Sequence, residues 1–336
     1  MTENNFTYVP LAEPIPISEQ KWPEGTTPLV STSTLTYNHN PYIRDCLDGI
    51  LMQKTTFPVR VVVFDDCSTD GTREIVKEYK EKYPSLIVAV LPGENTWNKP
   101  EERKEAMKPR NEARNVAKYI ALCEGDDYWT DPLKLQKQVD FLEANPEYSM
   151  CFTNAEVLYD GIVAPKSGTS IYNHLQSKEY SGTDVLKKWT VPTASVVFRN
   201  YFNEGKVMPW DNRFLFGDIV LFLWLAEFGK LWCINEKTVV YRRNSKGVTF
   251  GKYDYKKRVN HYLAIREHFG AKYEKNTKIL IAKNYVGGFI SGKLGILSFQ
   301  VLKDVLKDSK YLPLFLALLP SHLVKSISRK IKSIFT

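Results

Sequence analysis

The chain has 336 residues, of which 43% are hydrophobic and 25% are charged, with a formal net charge of +8 and a pI near 9.0. This composition excludes an intrinsically disordered chain and predicts a folded protein with a sizeable core. The positive charge suits an anionic substrate, a nucleic acid or an anionic membrane surface, and does not by itself choose among them.

The five cysteines are scattered and none belongs to a Cys-x-x-Cys pair, so neither a zinc site nor a disulfide framework is indicated. Reduced cysteines in apolar runs are typical of core positions in a reducing, cytosolic compartment. Residues 1–20 are polar and lack the pattern of a signal peptide. The longest candidate apolar run, residues 311–319, is short and contains Pro313, so no membrane-spanning helix is predicted.

Short apolar runs alternate along the chain with segments of helical periodicity. Strands are predicted, in chain order, at residues 29–35, 59–64, 86–91, 119–123 and 149–159. Helices are predicted between them, at residues 42–53, 73–82, 111–118 and 133–144. This alternation indicates an α/β fold with a mostly parallel central sheet and helices on both faces.

The remainder of the chain is less regular. We expect a loop over residues 160–181, a core segment over residues 193–199 and a helix over residues 218–228. Beyond residue 252 the sequence becomes helical and basic. These changes predict three parts, namely a leader over residues 1–27, a main α/β domain over residues 28–250 and a helical, basic C-terminal unit over residues 251–336.

Two pairs of aspartates follow predicted strands. Asp65 and Asp66 close one apolar run, and Asp126 and Asp127 follow another. Ligands in open α/β sheets bind at the carboxyl ends of the strands. Paired carboxylates there suit a divalent cation that holds phosphate oxygens, because hard cations prefer oxygen ligands. The alternative is ordinary turn chemistry, which Asp-Asp also favours.

With these segments placed, the chain resembles the family-two glycosyltransferases, which have the GT-A fold. The resemblance rests on five motifs in the family's order: residues 28–38 (PLVSTSTLTYN), 61–72 (VVVFDDCSTDGT), 119–132 (YIALCEGDDYWTDP), 216–218 (FGD) and 241–248 (YRRNSKGV). It implies inverting transfer of a sugar from a nucleotide-sugar, with a UDP-sugar as the expected donor, to a hydroxyl of a glycan acceptor. The implied cofactor is Mn²⁺ or Mg²⁺.

The resemblance assigns donor-binding roles to the first two motifs. Thr36, Tyr37 and Asn38 match the loop that holds the nucleotide base, and Tyr37 would stack on that base. Asp66 matches the carboxylate that accepts a hydrogen bond from the base, a contact that favours bases with an N–H donor such as uracil. The alternative for Asp66 is a cap of the following helix.

The third motif supplies the metal site that the resemblance implies. Asp126 matches the ribose contact and Asp127 the residue that holds the metal on the diphosphate, with Asp126 counted as a second metal ligand. Arg110 and Arg114 fall in a region that lines the diphosphate pocket in similar enzymes, and Arg binds phosphate bidentately. The alternative for both arginines is a solvated helix face.

The last two motifs supply the remaining roles. Asp218 matches the catalytic base, which takes the proton from the acceptor hydroxyl, and it also suits the N-cap of the helix that it begins. Asn244 stands where similar enzymes often have a histidine metal ligand, and an amide oxygen is the weaker ligand. Trp129 and residues 189–195 fall where similar enzymes shape the sugar pocket, although Trp129 suits a core position equally well. His39 receives no role.

The end of the chain is basic. Within residues 323–335 the apolar side chains fall on one side of a helix and the basic ones on the other. Such a helix suits an anionic membrane surface, or else it packs on the catalytic domain or a second subunit. We therefore expect a cytoplasmic protein, peripheral on the inner face of the cell membrane, that acts on a glycan or lipid-linked glycan in cell-surface polysaccharide synthesis.

Other classes of function are less well matched. No nucleic-acid-binding module is recognisable, so nucleic acid is not an expected partner. A nucleotidyltransferase would need a Gly-rich phosphate loop near the first strand, and residues 28–38 have none. The alternative that stays open is a catalytically inactive homologue that binds a membrane or a nucleotide.

Overall fold

The computed structural model describes residues 8–159, 162–163, 171–188, 190–243, 254–291 and 296–319. The chain divides by its contacts into two compact units, Met1–Val207 with Trp224–Gly247, and Met208–Leu223 with Val248–Thr336. The segment Met208–Leu223 therefore groups with the C-terminal part of the chain, whereas the sequence analysis assigned it to the main domain.

The first unit is built on a β-sheet. The strands of the described residues are, in chain order, β1 (Ile15–Pro16), β2 (Val30–Thr36), β3 (Lys54–Thr55), β4 (Val59–Asp65), β5 (Ile87–Val90), β6 (Tyr119–Leu122), β7 (Tyr128–Trp129), β8 (Tyr148–Tyr159), β9 (Ile162–Val163), β10 (Lys178–Tyr180), β11 (Val197–Arg199) and β12 (Lys230–Arg243). β1 and β3 form a separate two-stranded sheet. The large sheet has the order β10-β12-β8-β11-β6-β2-β4-β5, and in addition β7 pairs with β12 and β9 with β8.

The half of the large sheet that ends in the aspartate pairs is parallel. β2 pairs in parallel with both β4 and β6, and β4 pairs in parallel with β5. Side chains of β4 that point to opposite faces are buried alike, which explains its nearly continuous apolar sequence. β2 is just as buried although Ser and Thr dominate it. The predicted α/β class is confirmed.

The other half of the sheet is mixed. β11 runs antiparallel between β6 and β8, and β12 runs parallel to β8. The sequence analysis did not predict β12, although it is the longest strand described. The register between β12 and β8 shifts between Ile234 and Val239, and such irregularities interrupt the two-residue alternation by which a strand is recognised.

The helices of the first unit flank the strands. The helices of the described residues are, in chain order, α1 (Ile43–Leu51), α2 (Thr72–Lys82), α3 (Pro100–Ala106), α4 (Lys108–Asn115), α5 (Lys134–Ala144), α6 (Gly182–Lys187), α7 (Gly217–Leu225), α8 (Tyr255–Phe269), α9 (Glu274–Ser291), α10 (Ile296–Lys307) and α11 (Leu312–Leu318). α1, α2 and α5 agree closely with the prediction. α3 was not predicted and α4 starts earlier than expected, and in both a proline, Pro100 or Pro109, stands in the first turn where it favours helix initiation.

The second unit is helical where it is described, as predicted for the C-terminal extension. α8 and α9 approach closely at Gly288, where an added Cβ would lie 2.7 Å from the Tyr255 ring. The Tyr255 hydroxyl donates to Asp304 of α10 at 2.8 Å. α11 contributes the fully buried Phe315 to the same core. Within the described ranges no helix has the length and apolar character to cross a membrane. The predicted amphipathic helix over residues 323–335 lies outside these ranges.

Candidate active site

Hydrogen bonds join the ends of β2 and β4. The Asp66 N–H donates to the Thr36 carbonyl at 3.0 Å, and the Thr69 N–H donates to the side-chain oxygen of Asn38 at 2.8 Å. Asn38 has a φ of 53°, a left-handed conformation that Asn adopts more readily than most residues. Asn38 therefore shapes the turn, and the Tyr37 ring beside it is left 45% exposed, available for stacking.

The two aspartates at the end of β4 have different surroundings. Asp65 is fully buried and accepts from the Ser68 N–H at 3.1 Å and from the Ser68 hydroxyl. One carboxylate oxygen of Asp66 accepts from the Thr96 N–H at 2.9 Å and from its hydroxyl at 2.7 Å. The other accepts from the Arg103 guanidinium at 2.9 Å. Asp65 thus holds the turn together, whereas Asp66 reaches the segment after β5.

Asp70, and not Asp66, is the carboxylate that hydrogen-bonds the start of α2. It accepts from the Thr72 N–H at 3.0 Å and from the Thr72 hydroxyl at 2.6 Å. Gly71 precedes the helix with a φ of 95°, which glycine adopts without the steric cost that other residues meet. The helix-cap alternative for Asp66 is therefore wrong.

The ends of β2 and β6 meet at Gly125. A Cβ at this position would lie 2.6 Å from the Thr36 hydroxyl oxygen and 2.9 Å from His39 Nδ1. His39 Nδ1 is 3.2 Å from the same hydroxyl oxygen, and His39 Nε2 is 4.0 Å from a carboxylate oxygen of Asp126. His39 therefore lies between the predicted base-binding loop and the acidic motif, a position that the sequence analysis did not foresee.

Asp127 is the buried member of its pair. Its side chain is 2% exposed and accepts from the Arg242 N–H at 2.8 Å. Burial, together with the charges of Asp126 and Glu124, raises the pKa of the Asp127 carboxyl well above its usual range. A cation at this position would offset the crowding of negative charge.

The donor set suits Mn²⁺ or Mg²⁺, since it consists of carboxylate oxygens. Asp126 and Asp127 are the residues that would hold such an ion. In the part of the chain that the structure describes, no group of three or more His, Cys, Asp or Glu side chains could hold a metal ion by itself. A bound ion would therefore need further ligands, such as the phosphate oxygens of a substrate.

Arg242 attaches the end of β12 to the acidic motif. Its guanidinium lies over the Tyr128 ring at 4.4 Å and over the Tyr42 ring at 5.1 Å. It donates to the Asp126 carbonyl at 3.0 Å and forms an ion pair with Asp45. The backbone N–H of Arg242 also donates to the Asp127 carboxylate. Together these contacts fix the position of the acidic motif relative to α1 and β12.

Two arginines of α4 are buried and form no ion pair with any carboxylate of the described residues. Arg110 is 6% exposed, donates to the Asn111 side chain at 2.9 Å and hydrogen-bonds the Ser33 hydroxyl, while its Nε has no partner in the described ranges. Arg114 is 8% exposed and lies over the Phe202 ring at 4.8 Å. Burial lowers the pKa of both, for Arg114 to about 10. The solvated-face alternative is wrong for both residues.

Trp129 lies in the core of the first unit. Its ring is 1% exposed and its indole N–H donates to the Ala194 carbonyl at 2.7 Å. The ammonium of Lys134, itself fully buried, lies 4.1 Å from the ring centre. This is the core position that the sequence analysis gave as the alternative, and the enclosed ring presents no face to a sugar.

Asp218, Trp189 and Asn244 are the remaining predicted residues. Asp218 belongs to the second unit, where it is half-buried near the start of α7 and accepts from the Ile219 N–H at 2.8 Å. Trp189 and Asn244 lie outside the described residues.

Three residues of the site were missed by the sequence analysis. His39 directly follows one quoted motif and Arg242 lies inside another, so both could have been found by asking what else those loops present. Arg103 lies in α3, a helix with no buried residue, and nothing in the local sequence distinguishes it from a solvated charge. Its partner is 37 residues away, and only the folded chain brings the two together.

The parallel strands, with the paired carboxylates after two of them, define an α/β protein whose candidate site lies at the carboxyl ends of its strands, and comparison with known families identifies its family. A family model described as Glycosyl transferase family 2 matches residues 31–205, just over half of the chain. The chain therefore belongs to glycosyltransferase family 2, and the resemblance seen in its motifs is confirmed.

Curated relatives and solved structures are similar to this chain over most of its length. It is 36% identical over 230 residues to an uncharacterized protein of Mycobacterium tuberculosis, a match that covers 67% of this chain and 61% of that protein. It is 29% identical over 230 residues to the putative teichuronic acid biosynthesis glycosyltransferase TuaG of Bacillus subtilis, covering 67% of this chain and 83% of TuaG.

Staphylococcus aureus TarS, solved in complex with UDP-GlcNAc, matches with a TM-score of 0.58 and 18% identity, over 87% of this chain and 81% of that one. That structural likeness confirms the GT-A fold. The chain spans 61% of the length of its mycobacterial relative.

Proposed function

We propose that the protein transfers a sugar from a UDP-sugar to a hydroxyl of a glycan acceptor, with inversion at the anomeric carbon. The observation that supports this most strongly is Arg110, a buried guanidinium with an unpartnered Nε. A buried cation without a carboxylate partner is costly, and a bound anion offsets that cost. The diphosphate of a nucleotide-sugar is such an anion, and TarS, which has the same fold, is seen with UDP-GlcNAc bound.

Asp126 and Asp127 would hold Mn²⁺ or Mg²⁺ against the donor diphosphate, with Asp126 also near the ribose. The ion would supply Lewis-acid stabilisation of the leaving nucleoside diphosphate. The chain's own part is positional, because Arg242 fixes the loop of both carboxylates. Asn244, two residues beyond Arg242, is proposed as a further, weaker ligand on its motif position alone.

Asp218 is proposed as the general base, on the strength of its motif. The acceptor oxygen would form a bond to the anomeric carbon while the bond from that carbon to the phosphate oxygen breaks. The hydroxyl proton would pass to the Asp218 carboxylate, and the bonding pair would leave with the nucleoside diphosphate. Asp218 accepts a hydrogen bond from the Ile219 N–H at 2.8 Å, and a carboxylate is one of the groups that serve as a general base.

The acceptor and the location of the protein are proposed from its relatives and its basic end. TuaG is described as a teichuronic acid biosynthesis enzyme, which favours a cell-surface polymer or its lipid-linked precursor as the acceptor here. Residues 323–335 are proposed to bind an anionic membrane surface on the cytoplasmic side.

The test is a calorimetric titration of the protein with UDP, GDP and dTDP, each in Mn²⁺ and in EDTA, combined with a transfer assay. We expect UDP to bind in Mn²⁺ and to bind much more weakly in EDTA. Asp127→Asn should remove the metal-dependent part of UDP binding. Asp218→Asn should retain UDP affinity and lower turnover by about a hundredfold or more, the scale of general-base catalysis.

Each result has an opposite that would reject part of the proposal. Equal UDP binding by the Asp127 variant would reject the metal assignment. Loss of UDP binding in the Asp218 variant would make that residue structural. Binding of a nucleotide without transfer to any acceptor would favour the inactive homologue. That alternative is considered because Asn244 stands where similar enzymes often have a metal-binding histidine.

A further inference from the structure

Residues 211–216, which we call the pre-α7 segment, are attached to α8 within the second unit. At the start of this segment, Asp211 accepts from His268 Nε2 at 3.1 Å, and the Arg213 guanidinium donates to Glu267 at 2.6 Å. These side chains are partly exposed, and exposed pairs of this kind contribute little to stability. The position of the segment therefore depends mainly on what holds its other end, next to α7.

His261 of α8 holds that end. Its ring is fully buried, and its Nδ1 accepts from the Leu215 N–H at 3.3 Å. The rings of Phe214 and Phe216 meet the imidazole nearly at right angles, with centroid distances of 6.2 and 5.1 Å. Three consecutive residues, the last of them two positions before Asp218, thus contact one side chain.

The imidazole of His261 is neutral, and its contact with Leu215 identifies the tautomer. Burial, together with the charge of Arg258, lowers the pKa of His261 to about 4. Because Nδ1 accepts a hydrogen bond, the ring proton lies on Nε2. Nε2 has no hydrogen-bond partner among the residues that the structure describes. The nitrogen that is in use therefore binds the backbone of the pre-α7 segment.

A phenylalanine would suit the surroundings of His261 better than a histidine does. Besides the two phenylalanine rings, the Tyr262 ring lies 4.9 Å from the imidazole, centre to centre. A buried polar atom without a partner lowers stability, so histidine is the less favourable residue for packing alone. What histidine adds to an aromatic ring at this position is the acceptor for the Leu215 N–H.

We propose that His261 is a positioning residue for sugar transfer, which sets the place of the Asp218 carboxylate by holding the backbone that leads into α7. This inference rests on the proposed role of Asp218 as general base. α7 begins at Gly217, so a displacement of Leu215 is passed on to the first turn of the helix, which contains Asp218. His261 itself takes no part in the proton transfer.

The rate of transfer is expected to be sensitive to such a displacement. A general base must lie within hydrogen-bond reach of the proton that it takes. A misplacement of about 1 Å can lower a rate by about a hundredfold. The binding of the donor is expected to be insensitive to it, because every donor-binding residue proposed above belongs to the first unit.

A role in packing alone is the rival explanation for His261. If packing were its only role, the loss of activity in each variant would follow the loss of stability. The two roles are separated by substitutions that change the ring and the hydrogen-bond acceptor independently.

The experiment compares wild type, His261→Phe and His261→Asn. Phenylalanine keeps the ring and removes the acceptor, whereas asparagine removes the ring and keeps an oxygen acceptor close to the position of Nδ1. Thr277→Val is the control, because the Thr277 hydroxyl is buried in the same unit and donates to the Tyr273 and Glu274 carbonyls at 2.9 and 3.0 Å.

Turnover is measured in Mn²⁺ as UDP release, with water as the acceptor whose proton the base takes. The donor is whichever of UDP-glucose, UDP-galactose, UDP-GlcNAc and UDP-glucuronate wild type cleaves fastest. Calorimetric titration gives the UDP affinity, and thermal unfolding gives the stability. Hydrogen exchange of a peptide over residues 211–223 reports the Leu215 amide independently of activity.

We expect His261→Phe to lower kcat by about tenfold or more, with KM for the donor and UDP affinity unchanged. Its unfolding temperature should equal or exceed that of wild type. His261→Asn should have the lower unfolding temperature, because it leaves a cavity, and yet the higher kcat of the two. The order of activity should therefore be opposite to the order of stability.

The hydrogen bond and the action through Asp218 have their own readouts. The Leu215 amide should exchange about tenfold or more faster in His261→Phe and close to the wild-type rate in His261→Asn and Thr277→Val. Adding His261→Phe to Asp218→Asn should lower kcat no further, because the carboxylate that His261 positions is already absent.

The inference would be overturned by wild-type kcat in His261→Phe, or by kcat values that follow the unfolding temperature across all three variants. An additive effect of the two substitutions in the double variant would show that His261 does not act through Asp218. The proposed function would fail separately, and the inference with it, if Asp218→Asn kept wild-type kcat or if wild type cleaved none of the four donors.

Discussion

At the scale of single residues, the first unit contains two buried cations that form no ion pair within the described ranges. Arg110 and Lys134 are both buried in the first unit, and each has a side-chain nitrogen without a partner in the described ranges. Buried charges of this kind lower stability, and they persist where something else favours them. The two residues allow separate tests, because only Arg110 lies in a region with a proposed ligand.

Replacement of Arg110 by methionine should separate stability from binding. Arg110→Met keeps an unbranched side chain that ends where the guanidinium begins and removes the buried cation, so the unfolding temperature should rise or stay unchanged. UDP affinity should fall by about ten- to a hundredfold, the value of a charged hydrogen bond. Arg60→Met is the control, since Arg60 is half-buried, donates to the Ala113 carbonyl of α4 and has no proposed ligand. A lower unfolding temperature with unchanged UDP affinity would instead make Arg110 a structural residue.

Lys134 should make stability depend on pH. Burial lowers the pKa of its ammonium to about 7, although the neighbouring Cys123, Cys151 and Asp131 act in the opposite direction. Between that pKa and the unfolded value, the unfolded chain binds a proton that the folded chain does not. The free energy of unfolding should therefore rise with pH, by up to about 1.4 kcal/mol per unit. Below about pH 7 both states bind the proton, and the penalty is at its largest.

Urea unfolding of Lys134→Met and wild type at pH 6, 7.5 and 9 measures this contribution. The variant should be more stable than wild type, and its advantage should be largest at pH 6 and decrease towards pH 9. Lys137→Met is the matched control on the same helix, because Lys137 is partly exposed and pairs with Asp131 and Glu236. A stability difference between Lys134→Met and wild type that does not change with pH would contradict the lowered pKa of Lys134.

At the scale of secondary-structure elements, the site depends on the close approach of strand ends. Gly125 lets the segment after β6 lie against Thr36 at the end of β2, and no side chain fits between them. The β-strands of this half of the sheet are parallel, so their carboxyl ends lie at one edge. The loop proposed to hold the base and the acidic motif are neighbours for this reason, although they are far apart in the sequence.

Gly125→Ala should damage the site more than the fold. The added Cβ would meet Thr36 and His39 side-chain atoms at less than 3 Å, so the two strand ends must separate. We expect UDP affinity and transfer to fall by about tenfold or more, with a loss of stability of about 1–3 kcal/mol, the usual cost of overpacking. The measurements are calorimetric titration and thermal unfolding.

Gly288→Ala provides the comparison for Gly125→Ala in the second unit. Its added Cβ would lie 2.7 Å from the Tyr255 ring, so a similar loss of stability is expected. UDP affinity should be unaffected, because no donor-binding residue is proposed there. Equal effects of both substitutions on UDP affinity would mean that general destabilisation, and not the strand ends, limits binding.

At the scale of the whole molecule, the residues proposed to contact a membrane differ from those that form the core of the second unit. α11 contributes Phe315, and the turn before it contributes Tyr311, both fully buried. The Arg266 guanidinium donates to the Tyr311 hydroxyl at 2.6 Å. The basic segment over residues 323–335 begins beyond these residues, so it can be removed without touching them.

Truncation after Leu319 should therefore release the protein from anionic vesicles and leave the rest intact. Sedimentation with vesicles of phosphatidylglycerol and phosphatidylcholine should show loss of binding, since each Lys or Arg near such a surface contributes about 1 kcal/mol. UDP affinity and the unfolding temperature should stay as in wild type. Truncation before Ser309 is the contrast, because it removes Tyr311 and Phe315 and should lower the unfolding temperature. Unchanged vesicle binding after the shorter truncation would reject the membrane helix.

The sequence by itself determined the features that depend on neighbours along the chain. The strands β2, β4 and β6, the aspartate pairs after β4 and β6, and the helices α1, α2 and α5 were all predictable. The interactions that form turns and helix starts join residues only a few positions apart, so they can be recognised from a short stretch of sequence. Five such motifs in order were enough to identify the family.

Only the tertiary structure decided which distant groups meet. Arg103 reaches Asp66 across 37 residues, and the N–H of Arg242 reaches Asp127 across 115. The burial of Trp129 and Arg110 also depends on segments that are remote in sequence. The same is true of the pairing of β11 with β6 and of β12 with β8. These contacts form only when the sheet is assembled, because each joins segments that are distant in the chain. A local sequence pattern does not specify which distant segment a residue will contact.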